Sequence, residues 1–184
     1  MTTPSPRVVL DFWLKDTPSD KWFATDPALD AEIRSRFEAL WRKGCAGELD
    51  DWEAEPNGAL ALIILFDQFP RNMFRGSAEA FASDARAREI AKRAIAQKRD
   101  LEVPATIRFF FYIPLEHSEH LPDQEICVQL VKERMGEDHF AYRYALMHMK
   151  AIERFGRFPA RNAALGRPST EQEQDFLNQN PRGF

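Results

Sequence analysis

Hydrophobic residues recur every three or four positions along most of this chain, a spacing that places them on one face of a helix. Two early sets show the pattern: Val8, Val9, Phe12 and Trp13, and then Ile33, Phe37, Leu40 and Trp41. Helix-start signals precede both sets, with Pro6 before the first and Asp26-Pro27 before the second. The pattern predicts further helices at about 84–97, 122–135 and 138–155, and a last one from Ser169, where Gln172 completes a capping box.

One segment, residues 59–66, is apolar on every side. A helix that lacks a polar face is a buried one, so we expect this segment to form a buried helix. It leads through Asp67 and Gln68 into the sequence Phe69-Pro70-Arg71-Asn72, where the proline is expected to end the helix.

Residues 105–113 are rich in β-branched and aromatic side chains, which suit a strand as well as a helix. No second strand pattern occurs for such a strand to pair with, and a lone strand leaves its backbone groups unsatisfied. We therefore predict a helix that stops at Pro114. With the other elements this predicts an all-α fold: a single domain, 1–184, of seven or eight helices packed as antiparallel hairpins.

Composition narrows the class of protein. Fifteen Phe and four Trp predict an aromatic-rich core. The net charge of −4, with basic and acidic residues interleaved, provides no basic stripe to follow a nucleic-acid backbone, so no nucleic-acid partner is expected.

The cysteines and the hydropathy pattern indicate the cellular compartment in which we expect the protein. Cys45 and Cys127 stand alone, with no CxxC motif, which suits small core residues in a reducing cytoplasm. Pro4 and Pro6 lie where a signal peptide would need a basic and then an apolar segment. The apolar run at 59–66 is about half the length that crosses a bilayer. We expect a cytoplasmic protein with no membrane partner.

A short phrase occurs twice, as Phe69-Pro70-Arg71-Asn72 and as Phe158-Pro159-Ala160-Arg161-Asn162. In one interpretation each copy is a helix-stop device, in which the arginine bonds the last carbonyls of the helix. In the other, the arginines and asparagines form a fork for a carboxylate or phosphate: Arg71, Arg75, Arg157, Arg161, Asn72 and Asn162. The second interpretation predicts that both copies reach one polar centre, shared with the loop at Glu116.

Two charges lie in apolar surroundings, Asp67 after the buried helix and Arg108 within 105–113. A buried charge costs several kcal/mol unless it is paired, so each must have a partner. In one interpretation, a structural ion pair joins one of these acids to one of these arginines: Asp67, Glu116 or Glu119 to Arg108 or Arg71. In the other, the same residues line a ligand pocket.

The densest polar stretch is 115–125, with four carboxylates and two imidazoles. Glu116 beside His117 could act as an acid and base pair. His117 and His120 could begin a metal site, but their spacing differs from HExxH and a site needs three or more converging ligands, so no metal and no cofactor are predicted. The alternative for most of this stretch is a helix-capping loop with solvated charges.

His148 shares a helix face with Tyr144, Ile152 and Phe155. A lone histidine on an apolar face is usually a satisfied core residue, yet a buried imidazole near a polar cluster is also a plausible base. Its helix leads into the second copy of the phrase. We therefore expect His148, Arg157 and Arg161 to be neighbours.

Three stretches together resemble one bacterial family, the domain-of-unknown-function family 924: DQFPRNMFRG at 67–76, LEHSE at 115–119 with Asp123-Gln124 after it, and RFGRFPARNAALGRPSTEQE at 154–173. The resemblance covers nearly the whole chain and implies helical hairpins of the tetratricopeptide-like kind. It implies no activity and no catalytic residues. The family commonly has Asp at the position of His120, which further weakens a metal pair there. The retained positions mark where a site is expected: Asp67, Gln68, Arg71, Asn72, Glu116, His117, Ser118, Glu119, Arg161 and Asn162.

These observations predict a helical binding module whose central polar pocket holds a small anionic ligand or a peptide carboxylate. The predicted ligand-binding residues are Asp67, Gln68, Arg71, Asn72, Arg108, Glu119, Arg157, Arg161 and Asn162. One alternative is an acid and base hydrolase with the catalytic candidates Glu116, His117 and His148. The other is an adaptor that binds another protein through an exposed helix face.

Overall fold

The structure, a computed structural model, describes residues 4–180, and within that range it contains helices and no strand. The prediction of an all-α fold is confirmed. The α-helices are α1 (Arg7–Asp11), α2 (Pro27–Cys45), α3 (Pro56–Ile63), α4 (Phe69–Met73), α5 (Asp84–Ala96), α6 (Ala105–Arg108), α7 (Ile113–Glu116), α8 (Leu121–Met135), α9 (Phe140–Phe155) and α10 (Glu171–Gln179). Two π-helical turns, Phe12–Asp16 and Ile64–Gln68, follow α1 and α3 directly. Short 3-10 turns lie at Ser19–Lys21, Asp50–Ala54, Ala78–Phe81, Arg99–Glu102, Phe109–Phe111 and Pro159–Arg161.

The described chain divides into two compact units. The first unit comprises residues 4–75 and 79–114, and the second comprises 76–78 and 115–180. The predictions of a single domain, 1–184, and of tetratricopeptide-like hairpins stay predictions. Within residues 4–180, no helix is long and apolar enough to cross a bilayer.

The core of the first unit is aromatic, as composition predicts. The rings of Phe12, Phe37 and Phe69 pack with centroids 4.7 to 6.0 Å apart, and Trp13 meets Phe69 edge-on at 5.4 Å. Such offset and edge contacts are the favoured geometry for aromatic pairs. Residues 58–70 pass through this core and are all buried, which confirms the expected buried helix.

The first copy of the repeated phrase does not end a helix, so that prediction is wrong. α3, the π-turn and α4 form one continuous helical run, and Pro70 lies inside it. At the π-turn the Phe69 amide donates to the Ile64 carbonyl. Pro70 has no N–H for the Phe66 carbonyl, which instead accepts a hydrogen bond of 2.6 Å from the Ser83 hydroxyl. A side chain from outside the run therefore donates to the carbonyl four residues before the proline.

The second copy of the phrase has a different local structure. α9 ends at Gly156, whose φ of 68° is the left-handed conformation common after helices. Pro159 then begins a 3-10 turn that ends at Arg161. The two copies are therefore similar in sequence but are not one local device built twice.

The segment that could have been a strand is helical, as predicted. It forms α6, the 3-10 turn Phe109–Phe111 and α7. Pro114 does not stop it, because the proline is the second residue of α7, where its missing N–H needs no partner. As a result, Glu116 belongs to the end of a helix and not to a loop.

α8 and α9 pack against each other as a hairpin, with the turn made at Gly136, whose φ is 93°. A small apolar cluster of Ala151, Ile152 and Phe158, with Leu121 beside it, lies in this second unit. Both helices were predicted from their hydrophobic spacing.

The N-cap of α10 lies one residue later than predicted. Thr170 is the N-cap, and its side chain accepts from the Glu173 amide while the Glu173 carboxylate accepts from the Thr170 amide. The capping box is therefore Thr170 with Glu173, and not Ser169 with Gln172. Arg157 also donates to both Glu173 oxygens, at 2.6 and 2.8 Å.

These contacts predict a loss of stability in acid. Hydrogen bonds from Arg157, and from the Thr170 amide, lower the pKa of Glu173 from 4.5 to about 2. Below pH 4.5 the unfolded chain binds this proton and the folded chain does not, so stability falls from about pH 5 down to pH 2. Because Arg157 is partly solvated, we expect a loss of about 1–2 kcal/mol in the free energy of unfolding, measured by urea titration across that range.

Glu173→Gln is the matched variant for this effect. It keeps the shape of the side chain but has no carboxyl to titrate, so its stability should change less between pH 5 and pH 2 than that of the unaltered chain. Parallel acid profiles for the two proteins would show that Glu173 does not contribute.

Candidate functional site

Three polar side chains of the second unit converge: Glu116, His117 and His148. Each offers a donor atom, and these atoms all lie within 4.8 Å of one another. Glu116 Oε1 is 3.3 Å from His148 Nδ1, and the two imidazole rings have centroids 6.1 Å apart. We call these three residues the Glu-His-His cluster. They are the three catalytic candidates of the sequence analysis, and their catalytic role stays a prediction.

Side-chain donors fix the backbone of the cluster. Gln124 Nε2 donates to the carbonyls of Glu116 and Ser118, each at 2.6 Å. Arg161 Nη2 donates to the carbonyl between them, that of His117, at 2.8 Å. Three consecutive carbonyls therefore have charged or amide partners, and buried backbone bonds of this kind hold a segment in one conformation.

The imidazole of His148 is buried, with 7% of its surface exposed. Nδ1 lies 2.9 Å from the Tyr144 carbonyl; since a carbonyl only accepts, Nδ1 carries the hydrogen and Nε2 keeps its lone pair. Burial, followed by the charge of His117, lowers the pKa of His148 to about 3. The Arg161 guanidinium lowers this pKa further. The imidazole is neutral at physiological pH.

Arg161 brings a positive charge to the cluster. Its guanidinium lies over the Phe158 ring, 4.7 Å from the centroid, and His148 packs against the same ring at 5.5 Å. The expected proximity of His148 and Arg161 is therefore present. Arg157, the third expected neighbour, instead pairs with Glu173 at the start of α10.

Glu119 and Asn162 hold the second copy of the phrase in place. Glu119 accepts from the Phe158 amide at 2.8 Å and pairs with both terminal nitrogens of Arg167 at 2.7 and 2.9 Å. Arg167 Nε also donates to Asn162 Oδ1 at 3.0 Å. Although burial opposes it, the hydrogen bond from Arg167 keeps the pKa of Glu119 below its ordinary value. The ligand-binding role predicted for Glu119 and Asn162 stays a prediction.

Arg71, in the first copy, lies between two carboxylates. It donates to both oxygens of Asp84 at 2.8 and 2.9 Å and is 3.8 Å from Asp67. Asp67 is fully buried and accepts from Gln68 Nε2 at 2.5 Å. We call these four residues the Arg71 ion cluster. Although burial opposes it, the two aspartates raise the pKa of Arg71.

The remaining predicted residues of the first unit also have protein partners. Asn72 Nδ2 donates to Asp30 on α2 at 2.8 Å, and Arg75 binds both oxygens of the same carboxylate. Arg108 Nε donates to the Asp100 carbonyl at 3.0 Å. These contacts join elements of the fold, and a ligand role for Asn72 and Arg108 stays a prediction.

The two copies of the phrase lie in different compact units, the first in residues 4–75 and the second in 115–180. Their convergence on one polar centre stays a prediction. Only the second copy shares a unit with the Glu-His-His cluster.

His120 is not a member of the cluster. Its side chain is 70% exposed and lies 3.9 Å from Asp123. The residue that joins His117 is His148, from another helix. Sequence analysis also missed Gln124 and Arg167 as positioning residues, although Gln124 lies inside the densest polar stretch.

Surface clefts lie at other places. One, of about 230 Å³, belongs to the first unit and is lined by Phe12, Asp16, Thr17, Pro18, Lys21, Asp26, Ala28, Leu29 and Glu32. Another, of about 350 Å³, is lined by Arg154, Phe155, Arg157, Thr170, Gln172 and Glu173. Neither includes a residue of the Glu-His-His cluster, which is covered except where the half-buried His117 meets solvent.

Comparison with known proteins places this chain among proteins of unknown function. The model of the family described as "Bacterial protein of unknown function (DUF924)" matches residues 9–181. The solved structure of a protein of unknown function, ATU0120 from Agrobacterium tumefaciens, is similar, with 38% sequence identity and a TM-score of 0.88 over 95% of this chain and 97% of that chain. No curated protein matches.

Proposed function

Because the chain belongs to the DUF924 family of bacterial proteins of unknown function, we propose its function from its own residues: acid and base hydrolysis of a small anionic substrate at the Glu-His-His cluster. One observation carries this proposal. Glu116, His117 and His148, from α7, the residue after it and α9, bring their donor atoms within 4.8 Å of one another. A carboxylate beside the Nδ1–H of a histidine is the arrangement that orients an imidazole base.

Each residue has a role in the proposed reaction. Glu116 lies 3.3 Å from Nδ1 of His148 and stabilises the imidazolium that forms when Nε2 takes a proton from water. Burial keeps the pKa of His148 at about 3 in the covered cluster, so entry of water and substrate must raise this pKa towards its ordinary value for the reaction to proceed. The water oxygen bonds to the carbonyl carbon or phosphorus of the substrate. The proton then passes from Nε2 to the leaving group as its bond breaks, which restores the neutral imidazole. His117, the half-buried member, faces the solvent from which substrate arrives.

Arg161 supplies the preference for an anion. Its guanidinium adjoins the cluster through the Phe158 ring and the His117 carbonyl. A guanidinium binds carboxylate and phosphate oxygens with directed hydrogen bonds, which a lysine does not reproduce. Of the arginines first considered for the anion, Arg161 is the one whose contacts place it with catalytic candidates. Arg71 has two carboxylates as partners.

The proposal is tested by turnover of para-nitrophenyl acetate, hemisuccinate and phosphate, which differ in charge. We expect an anionic ester to be hydrolysed faster than the neutral acetate. His148→Gln should lower kcat/KM about 100-fold, because it removes the proton acceptor. Arg161→Gln should raise KM for the anionic ester alone, because that substrate loses its charged partner.

The matched control is His120→Gln, an exposed histidine of the same stretch that lies outside the cluster. It should retain full turnover, and circular dichroism should show that all three variants fold. Equal rates for the unaltered chain and His148→Gln would refute the proposal. Binding of an anionic ester without turnover would instead favour the simpler binding module.

Two finer features belong to the same proposal. We place the reaction in the cytoplasm, which is consistent with the two free cysteines. The substrate would enter beside His117, and a ligand pocket there would open on binding, since the cluster is otherwise covered.

A second candidate function is the binding of another protein, and one observation favours it. α9 exposes apolar side chains at helical spacing, with Phe140 at 47%, Tyr144 at 41% and Met147 at 36%. Apolar residues at such spacing suit a groove or a helix of a partner protein. Tyr144 lies one turn before His148 on α9, so this surface adjoins the Glu-His-His cluster.

A further inference from the structure

We infer that the Glu-His-His cluster binds one divalent transition-metal ion of the zinc type. The inference rests on the proposed function in one respect, the use of this cluster as the reactive centre. It adds a ligand that the sequence did not predict, because His117 and His120 alone supply too few donors. The third donor, His148, comes from a helix that is distant in sequence.

The donor set fits such an ion. Two imidazoles and one carboxylate are the protein ligands of many catalytic zinc sites, which keep a fourth position open for water or substrate. The same set suits other transition metals, whereas magnesium and calcium prefer oxygen ligands. Glu116, His117 and His148 supply this set from one small region of the second unit.

The separations are close to those of a bound ion. Zinc bonds of about 2.1 Å in a tetrahedral arrangement separate the ligand atoms by about 3.4 Å. The cluster atoms lie within 4.8 Å of one another. Closing the site needs movements of about 1–2 Å, which side-chain rotation supplies without moving the fixed backbone.

The surroundings support His148 as a ligand through Nε2. Its Nδ1–H donates to the Tyr144 carbonyl, the kind of outer contact that orients histidine ligands. Glu116 Oε1 lies 3.3 Å from Nδ1, so the carboxylate would leave that contact and turn towards Nε2 when the ion binds. Gln124 donates to the carbonyls on either side of His117, and these bonds fix the backbone that carries the first two ligands.

Two charged groups adjoin the ion in this site, Glu116 and Arg161. The carboxylate attracts a divalent cation and the guanidinium repels it. The net effect favours an ion that carries an anionic fourth ligand, since Arg161 can bind that ligand directly. The inferred ion therefore agrees with the anionic substrate proposed above. It changes one role in the proposed reaction: with His148 Nε2 bound to the ion, the ion and not the imidazole would activate the water.

The test uses the full chain, purified without a histidine tag and stripped with EDTA. Zinc is titrated into it by calorimetry in excess magnesium, and cobalt absorption reports the coordination. We expect one zinc per chain, retained in magnesium. His148→Gln and His117→Gln should each weaken zinc binding by about 100-fold. His120→Gln, the exposed control, should stay within about threefold of the unaltered chain.

Either of two affinity results would overturn the ion site. One is equal zinc affinity in His148→Gln and the unaltered chain. The other is an equal loss in His120→Gln, which would indicate surface binding. Should His148→Gln fail to fold, His117→Gln decides, because its side chain is only half-buried. Cobalt spectra that are identical in the unaltered chain and His117→Gln would also overturn the site.

The hydrolysis assay separates this inference from the proposed function. Zinc binding without turnover by the loaded chain leaves the ion site standing and refutes the hydrolase. Turnover that persists in EDTA, with no zinc binding in the titration, overturns the ion site and retains hydrolysis.

Discussion

Replacing Arg71 by alanine should lower the free energy of unfolding by about 3–5 kcal/mol. Arg71 is the cation of the Arg71 ion cluster, with Asp84 at 2.8 Å and Asp67 at 3.8 Å. Its removal leaves two carboxylates near each other, of which Asp67 is fully buried. An uncompensated buried charge is among the costliest defects in a folded protein, and urea unfolding followed by circular dichroism measures it.

The neighbouring Arg75 provides a matched control. It also binds both oxygens of an aspartate, Asp30, but its side chain is 42% exposed. Arg75→Ala should therefore cost less than about 1 kcal/mol. Adding Asp67→Asn to Arg71→Ala should recover part of the loss, because it removes the buried charge. A folded Arg71→Ala variant that has lost ligand-induced stabilisation would instead make Arg71 a binding residue.

Gly58→Ala should lower the free energy of unfolding by about 3 kcal/mol, against the usual direction for a glycine in a helix. Alanine is normally favoured over glycine there by up to about 1 kcal/mol. At Gly58 an added Cβ would lie 1.9 Å from the Trp52 carbonyl oxygen and 2.8 Å from its carbon. Because both atoms belong to the backbone, α3 or the turn Asp50–Ala54 must move, and overpacking of this kind costs about 1–3 kcal/mol or more.

Gly156→Ala separates lack of space from backbone strain. A Cβ at Gly156 meets nothing within 4 Å, but the φ of 68° is unfavourable for alanine. This variant should lose only about 1–2 kcal/mol, the strain of a left-handed residue. Chemical unfolding of both variants gives the comparison, and a Gly58→Ala protein as stable as the unaltered chain would show that the close contact is relieved elsewhere.

Local patterns were sufficient to predict the helices. The spacing of Ile33 and Phe37 marks α2, and the apolar residues of 59–66 mark the buried run. Residues 105–113 are also helical, although their β-branched and aromatic side chains favour a strand. The lack of a second strand to pair with outweighs that local preference for a strand. These inferences succeeded because they depend on neighbours within a turn or two of helix.

Predictions that depended on distant partners were less successful. Pro70 was expected to end a helix because the compensating hydroxyl of Ser83 lies far along the chain. Asp84 was not considered as a partner for Arg71, although it binds the guanidinium more closely than Asp67 does. Sequence spacing gives no measure of such contacts, which only tertiary packing establishes.

The residues of the candidate site were predicted from local patterns, but their convergence was not. Glu116 and His117 attracted notice because polar residues crowd after an apolar segment, and His148 because it interrupts an apolar helix face. Each was identified singly. Their convergence depends on Glu116 and His117 lying against His148 of α9, which no local pattern encodes. A metal ion was not predicted for this reason.

The Ser83 hydroxyl has a consequence for the order in which the chain folds during its synthesis. Ser83 donates to the Phe66 carbonyl, which lies four residues before Pro70, and accepts from Trp41 Nε1 at 2.9 Å. When residues 56–73 first leave the ribosome, Ser83 has not yet been added or is still inside the exit tunnel. The run of α3, the π-turn and α4 can therefore begin to form early. Its Phe66 carbonyl gains the hydrogen bond from Ser83 only after Ser83 has left the tunnel.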